Sequence, residues 1–165
     1  MSIKDLTQKS FSVLIIRSFG VLLLFGFTLF ITNFFTPENV GRYDFVRSTI
    51  MVLGGLALMG TNQSIIYYSG LLKARKSVES IRIIYFKMLR IIFALSLIIL
   101  GLFVGIFNEA TILQIFKSEE SFSLILKSIF TLIFFSTTML NIDTMRALEK
   151  TILSEMYRSL FRYLP

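Results

Sequence analysis

Arg17, Arg47 and Lys127 are three cations set inside or at the edge of long apolar runs, where a charged group needs a reason to be. A charge held at the centre of a bilayer costs about 2.5–3.5 kcal/mol on insertion scales. Such a side chain therefore faces a water-filled cavity or carries its head out to the interface by snorkelling, and the sequence leaves both readings open. In the first reading the three would line a lumen that attracts an anionic group such as pyrophosphate. Arg would form paired bonds to phosphate oxygens there and Lys would act as a point charge. Asn62 and Gln63, with Ser136, Thr137, Thr138 and Asn141, add amide and hydroxyl groups that suit sugar hydroxyls. They suit hydrogen bonding between helices equally well.

Other chemistry has little to work with. The chain has no Cys and no His, which removes disulfides, thiol nucleophiles, imidazole bases and the usual soft metal sites. No carboxylate pair or metal-ligand spacing is visible, so no catalytic residue, metal or cofactor is expected, and the chain does not read as an enzyme. The net charge of +7 is spread between apolar runs rather than gathered in one patch, so the expected anionic partner is phospholipid headgroup and not nucleic acid.

The elements that would position these residues follow from hydropathy. Only 16% of residues are charged, against about 25% in ordinary soluble domains, and the mean hydropathy is +0.76. Apolar runs near residues 18–35, 48–68, 88–107 and 124–142 each approach the roughly 20 residues that a helix needs to cross about 30 Å of hydrocarbon. Long Leu, Ile and Phe runs without period-2 alternation exclude a barrel, so the expected fold is all-α, a polytopic membrane protein with four transmembrane helices. Lys and Arg number 13 in the N-terminus, second loop and tail together, and 4 in the other two loops. The positive-inside rule then expects both termini in the cytoplasm. From Thr144 onward, Met145, Leu148, Ile152, Leu153, Met156, Tyr157, Leu160, Phe161 and Leu164 make one apolar stripe, with Arg146, Glu149, Lys150, Glu155, Arg158 and Arg162 opposite. That pattern predicts an amphipathic helix over about 144–164, lying in the cytoplasmic interface. Gly54, Gly55 and Gly60 in the second run, and the Gly101–Gly105 pair in the third, predict close helix contacts.

The stretch FFTPENVGRYDFVRSTIMVLGGLALMGTNQSIIYYSG places Pro37, Glu38 and Gly41 at the first turn and closes the second helix on Gly60 and polar residues. With a short basic N-terminus before it and a basic loop after it, this order resembles the N-terminal region of Wzx-type polysaccharide (O-antigen) flippases. These belong to the superfamily that also holds the MATE exporters and the lipid II flippase. The resemblance covers about the whole chain. It implies an incomplete N-terminal lobe of a MATE-like fold, a single membrane domain over 1–165. The implied cargo is undecaprenyl-pyrophosphate-linked oligosaccharide, moved across the bacterial inner membrane by alternating access, with Arg17 and Arg47 lining a cationic cavity. Because four spans are about a third of such a transporter, the chain is expected to be a fragment whose C-terminal remainder is a missing partner. The alternative expectation is a standalone four-helix membrane protein with a structural or assembly role.

Overall fold

A computed structural model describes residues 3–74 and 79–161. The basic residues Arg75, Lys76 and Arg162 and the stripe residue Leu164 lie outside it, as do the side chains of Leu160 and Phe161. Every element among the described residues is helical: α1 Ile3–Phe34, α2 Pro37–Leu58, α3 Thr61–Ala74, α4 Glu79–Ile106, α5 Glu109–Phe116, α6 Ser121–Ala147 and α7 Thr151–Met156, which continues into a π-helical turn, Tyr157–Phe161. The all-α expectation holds. Three helices are long and apolar enough to cross a membrane, at Ser10–Phe34, Ile81–Ile106 and Ser121–Ala147, and there are four if α2 and α3 count as one span.

The second apolar run is not one straight helix, as the expected 48–68 span required. Met59 and Gly60 adopt left-handed backbone at φ 41° and 79°, and α3 leaves α2 at 42°. Gly60 takes this conformation without steric cost, whereas Met59 does not. Thr61 closes the break by donating its hydroxyl to Leu58 O at 2.7 Å. The turn before α2 follows ordinary capping rules: Thr36 accepts from the Asn39 amide, Pro37 occupies the first turn, and Glu38 faces the positive end of the helix dipole. The segment read as a third loop contains α5, capped by Asn108, whose side chain accepts from the Thr111 amide at 2.8 Å.

α6 is the axis of the bundle, with α2, α3, α4 and α5 packed around it. Two apolar clusters hold them, one of Leu58, Ile65, Ile92 and Leu140 and the other of Phe103, Ile112, Ile125 and Ile129. Ile92 with Leu140 and Phe103 with Ile129 set an antiparallel α4–α6 register that brings Ser96 level with Ser136, midway between the clusters. Both serine hydroxyls are buried and have no hydrogen-bond partner among the described residues. α2 runs parallel to α6: Gly54 lies under the Phe135 ring, and Asn62 reaches Asp143 at the same offset of 81 residues.

The glycine expectation is half corrected. Gly54 is a close contact, but Gly55, Gly60, Gly101 and Gly105 have nothing within 4 Å of where a Cβ would sit, so the Gly101–Gly105 pair makes no close helix contact among the described residues. A close contact that glycine counting overlooked is Gly20, whose Cβ would lie 2.6 Å from Ser159 O.

The tail also departs from expectation. α6 ends at Ala147 in a Schellman arrangement, with the Lys150 amide donating to Met145 O, the Glu149 amide to Arg146 O, and Glu149 at φ 62°. Lys73 of α3 pairs with the Glu149 carboxylate and helps hold this left-handed position. α7 then folds back along α6, fixed by the Ser154 hydroxyl donating to Ile142 O at 2.8 Å. Consequently Ser154 and Glu155 are buried while Leu148, Ile152, Leu153 and Tyr157 face outward.

Helix α1 stands apart, with 6% of its most apolar window buried. It touches α2 through the Phe27–Tyr43 ring pair and otherwise leans on α7 and the π turn. Gly20→Ala should separate it from Ser159 at a cost of about 1–3 kcal/mol. The expected readout is a lower thermal midpoint of detergent-solubilised protein, with Gly101→Ala unchanged.

Candidate functional site

At the end of the bundle where α1 meets α7, three arginines converge on two buried carboxylates. Arg17 Nε donates to Glu155 Oε1 at 2.6 Å, and Arg146 Nη2 donates to Glu155 Oε2 at 3.1 Å. Arg158 Nη2 donates to Asp143 Oδ1 at 2.5 Å, while Asn62 Nδ2 donates to Asp143 Oδ2 at 3.1 Å. Arg146 links the two carboxylates, since its Nη1 also lies 3.8 Å from Asp143 Oδ1. The cluster thus ties α1, α3, α6, α7 and the π turn together. Its local spacing is helical: Asp143 with Arg146, and Glu155 with Arg158, are each one turn apart and project from one face.

The Glu155 side chain is 2% exposed and that of Arg17 is 59% exposed. Burial pushes the Glu155 carboxyl up, but the hydrogen bond from Arg17 and the charges of Arg17, Arg146 and Arg158 overcome it and hold the group below its ordinary value. The Arg17 guanidinium spends one N–H on Glu155 and keeps the rest of its fork free to face water. It opens on a cleft of about 350 Å³ between α1 and the α7–π segment, lined by Gly20, Val21, Leu24, Glu155, Arg158 and Ser159 as well. Two guanidiniums, those of Arg17 and Arg158, therefore line one open cleft beside an apolar helix, and guanidinium N–H groups are of the kind that bond phosphate oxygens. No group of three or more potential metal ligands occurs among the described residues.

The five residues singled out in the sequence fall into separate places. Arg17 and Asn62 join one ion network through Glu155, Arg146 and Asp143. Gln63 is exposed on α3 beside it. The α2–α6 register sets Arg47 level with Ser128, one residue from Lys127, so these two cations share a depth roughly 22 Å of helix away from Asn62. The Arg17 cleft includes neither of them. The polar cluster on α6 is likewise dispersed: Ser136 is buried, Thr138 bonds its own helix at Phe134 O, and Asn141 accepts from the Tyr85 hydroxyl.

No family model, curated protein or solved structure matches this chain. The flippase resemblance therefore stands on residue order alone, and the site has to be read from its geometry. Asp143, Arg146, Glu155 and Arg158 were not singled out as site residues, although the two acid–arginine steps of three residues were a usable signal.

Glu155→Gln should cost about 1–2 kcal/mol, because it removes the carboxylate that joins Arg17 to the half-buried Arg146, whereas Arg17→Gln should cost under about 1 kcal/mol because that partner is more than half exposed and Arg146 still meets Glu155. A carboxyl held low when folded contributes its stability above the unfolded value, near 4.3. The gap between wild type and Glu155→Gln should accordingly be full above about pH 5 and close as pH falls below 4, checked by denaturant unfolding across that range.

Proposed function

We propose that this chain is part of a membrane transporter whose cargo is an anionic lipid-linked glycan. In this reading it is one lobe, or part of one, of a MATE-like fold. It works by alternating access in the bacterial inner membrane, in the biosynthesis of surface polysaccharide, with both termini cytoplasmic. The observation that carries the proposal is the Arg17 cleft. A guanidinium on an almost unburied apolar helix is aimed, together with Arg158, into a water-accessible space that an amphiphile can enter sideways from lipid. A drug-like cation would be repelled there, since three arginines outnumber the two carboxylates. The absence of His and Cys removes the commonest catalytic groups and favours carriage over chemistry.

A role in assembly is favoured by one feature, the exposed flank of α1, which could pack against other helices. The two readings differ in what Arg17 does. For a carrier, Arg17→Gln should weaken binding of a polyprenyl-pyrophosphate-linked oligosaccharide about tenfold, as expected for loss of a charge-assisted hydrogen bond, and leave binding of the unphosphorylated polyprenol unchanged. Binding measured on the purified protein in detergent decides between them. Equal affinity for the phosphorylated and unphosphorylated lipids, or no effect of Arg17→Gln, would discard the carrier reading.

A further inference from the structure

A second cationic cleft lies on the other side of α6, between the start of α4 and the end of α6. It encloses about 470 Å³ and is lined by Ile81, Arg82, Tyr85, Asn141, Thr144, Met145 and Leu148. Its depth follows from its walls: the candidate spans Ile81–Ile106 and Ser121–Ala147 both terminate there, so it opens at the level of the headgroups rather than of the acyl chains.

The donors of this cleft face an acceptor position that no described side chain fills. Tyr85 donates its hydroxyl to Asn141 Oδ1 at 2.7 Å, which orients the amide so that Nδ2 keeps its two N–H groups for another partner. Thr144 has already given its hydroxyl proton to Leu140 O at 2.7 Å. The Arg82 guanidinium rests over the Phe86 ring, 5.8 Å from its centroid, which fixes its direction without consuming its N–H groups. At this end of the bundle the carboxylates of Asp143, Glu149 and Glu155 are taken by Arg17, Lys73, Arg146 and Arg158. Among the described side chains, which do not include that of Glu79, Arg82, Lys87 and Arg90 of α4 have no carboxylate partner. A guanidinium directed by the Phe86 ring, an oriented amide and an apolar floor of Ile81, Met145 and Leu148 match one ligand chemistry, a phosphodiester attached to hydrocarbon.

We propose that the α4–α6 cleft binds the headgroup of an anionic phospholipid, its phosphate held by Arg82 and Asn141. The site needs only that the bundle sits in a membrane. It is separate from the Arg17 cleft and does not depend on the transport reading.

The test uses the full chain reconstituted in phosphatidylcholine vesicles containing phosphatidylglycerol, then extracted in mild detergent, with retained lipid counted by native mass spectrometry. Wild type should retain phosphatidylglycerol over phosphatidylcholine. Arg82→Gln should lower that preference about tenfold, Asn141→Leu should lower it several-fold, and Arg82→Lys should restore part of it. Lys150→Gln, which removes an exposed charge outside the cleft, should retain the wild-type preference, and circular dichroism should show equal helicity in all variants. Equal retention of the two lipids overturns the proposal. So does an effect of Lys150→Gln as large as that of Arg82→Gln, which would mean diffuse charge attraction. Displacement of the lipid by excess inorganic phosphate would assign the site to free phosphate instead.

Discussion

Two carboxylates withdrawn from solvent, Asp143 and Glu155, dictate how this end of the bundle is put together. An isolated buried carboxylate carries a penalty of several kcal/mol, so each must be met by cations and hydrogen-bond donors of good geometry. The partners come from four different elements, which is why a chain whose apolar surfaces are largely interchangeable acquires one arrangement. Arg146 holds the two carboxylates in a single unit, and Asn62 brings in α3 beyond the bend at Gly60. In lipid, apolar contact between helices has no hydrophobic driving force, so polar contacts and close packing must choose the partners.

The same logic explains the inverted polarity of the tail. In water a helix buries its apolar stripe and shows its charges. Here Glu155 and Ser154 turn inward, toward arginine and the Ile142 carbonyl, and Ile152, Leu153 and Tyr157 turn out. Outward apolar residues carry no penalty where the surroundings are hydrocarbon or its boundary with the headgroups. α6 serves as the axis because its buried face steps through Ile125, Ile129, Leu132, Ser136 and Leu140, and the serines along it keep neighbouring helices close.

The apolar runs and the all-helical class were legible from hydropathy, since length and mean apolarity suffice for that inference. The bend after Leu58 was not, because Gly60 alone does not announce a left-handed pair, and the Met59 that joins it is a poor candidate for positive φ. α5 was hidden by its eight residues, too few to show periodicity. The tail differs from one helix over 144–164 because α6 runs on to Ala147 and the chain turns at the left-handed Glu149, a break that the continuous stripe does not reveal. Arg17 was found as a cation in an apolar run, but its partner lies 138 residues away and no local pattern could supply it. That Arg47 and Lys127 sit at the same end follows from their places at the outer starts of the second and fourth apolar runs, and the α2–α6 register sets them level.

The mooring of α1 has a mechanical corollary. Its flank already faces the surroundings along most of its length, so swinging it outward in a bilayer exchanges protein neighbours for acyl chains at little free-energy change. What resists the swing is concentrated at two places, a ring contact from Phe27 to Tyr43 and, near the middle of the helix, the arginine grip on Glu155 with the Gly20–Ser159 seat beside it. An anion that competes for that guanidinium would loosen the helix by the act of docking, so occupancy of the cleft and the tilt of α1 would be two faces of one equilibrium.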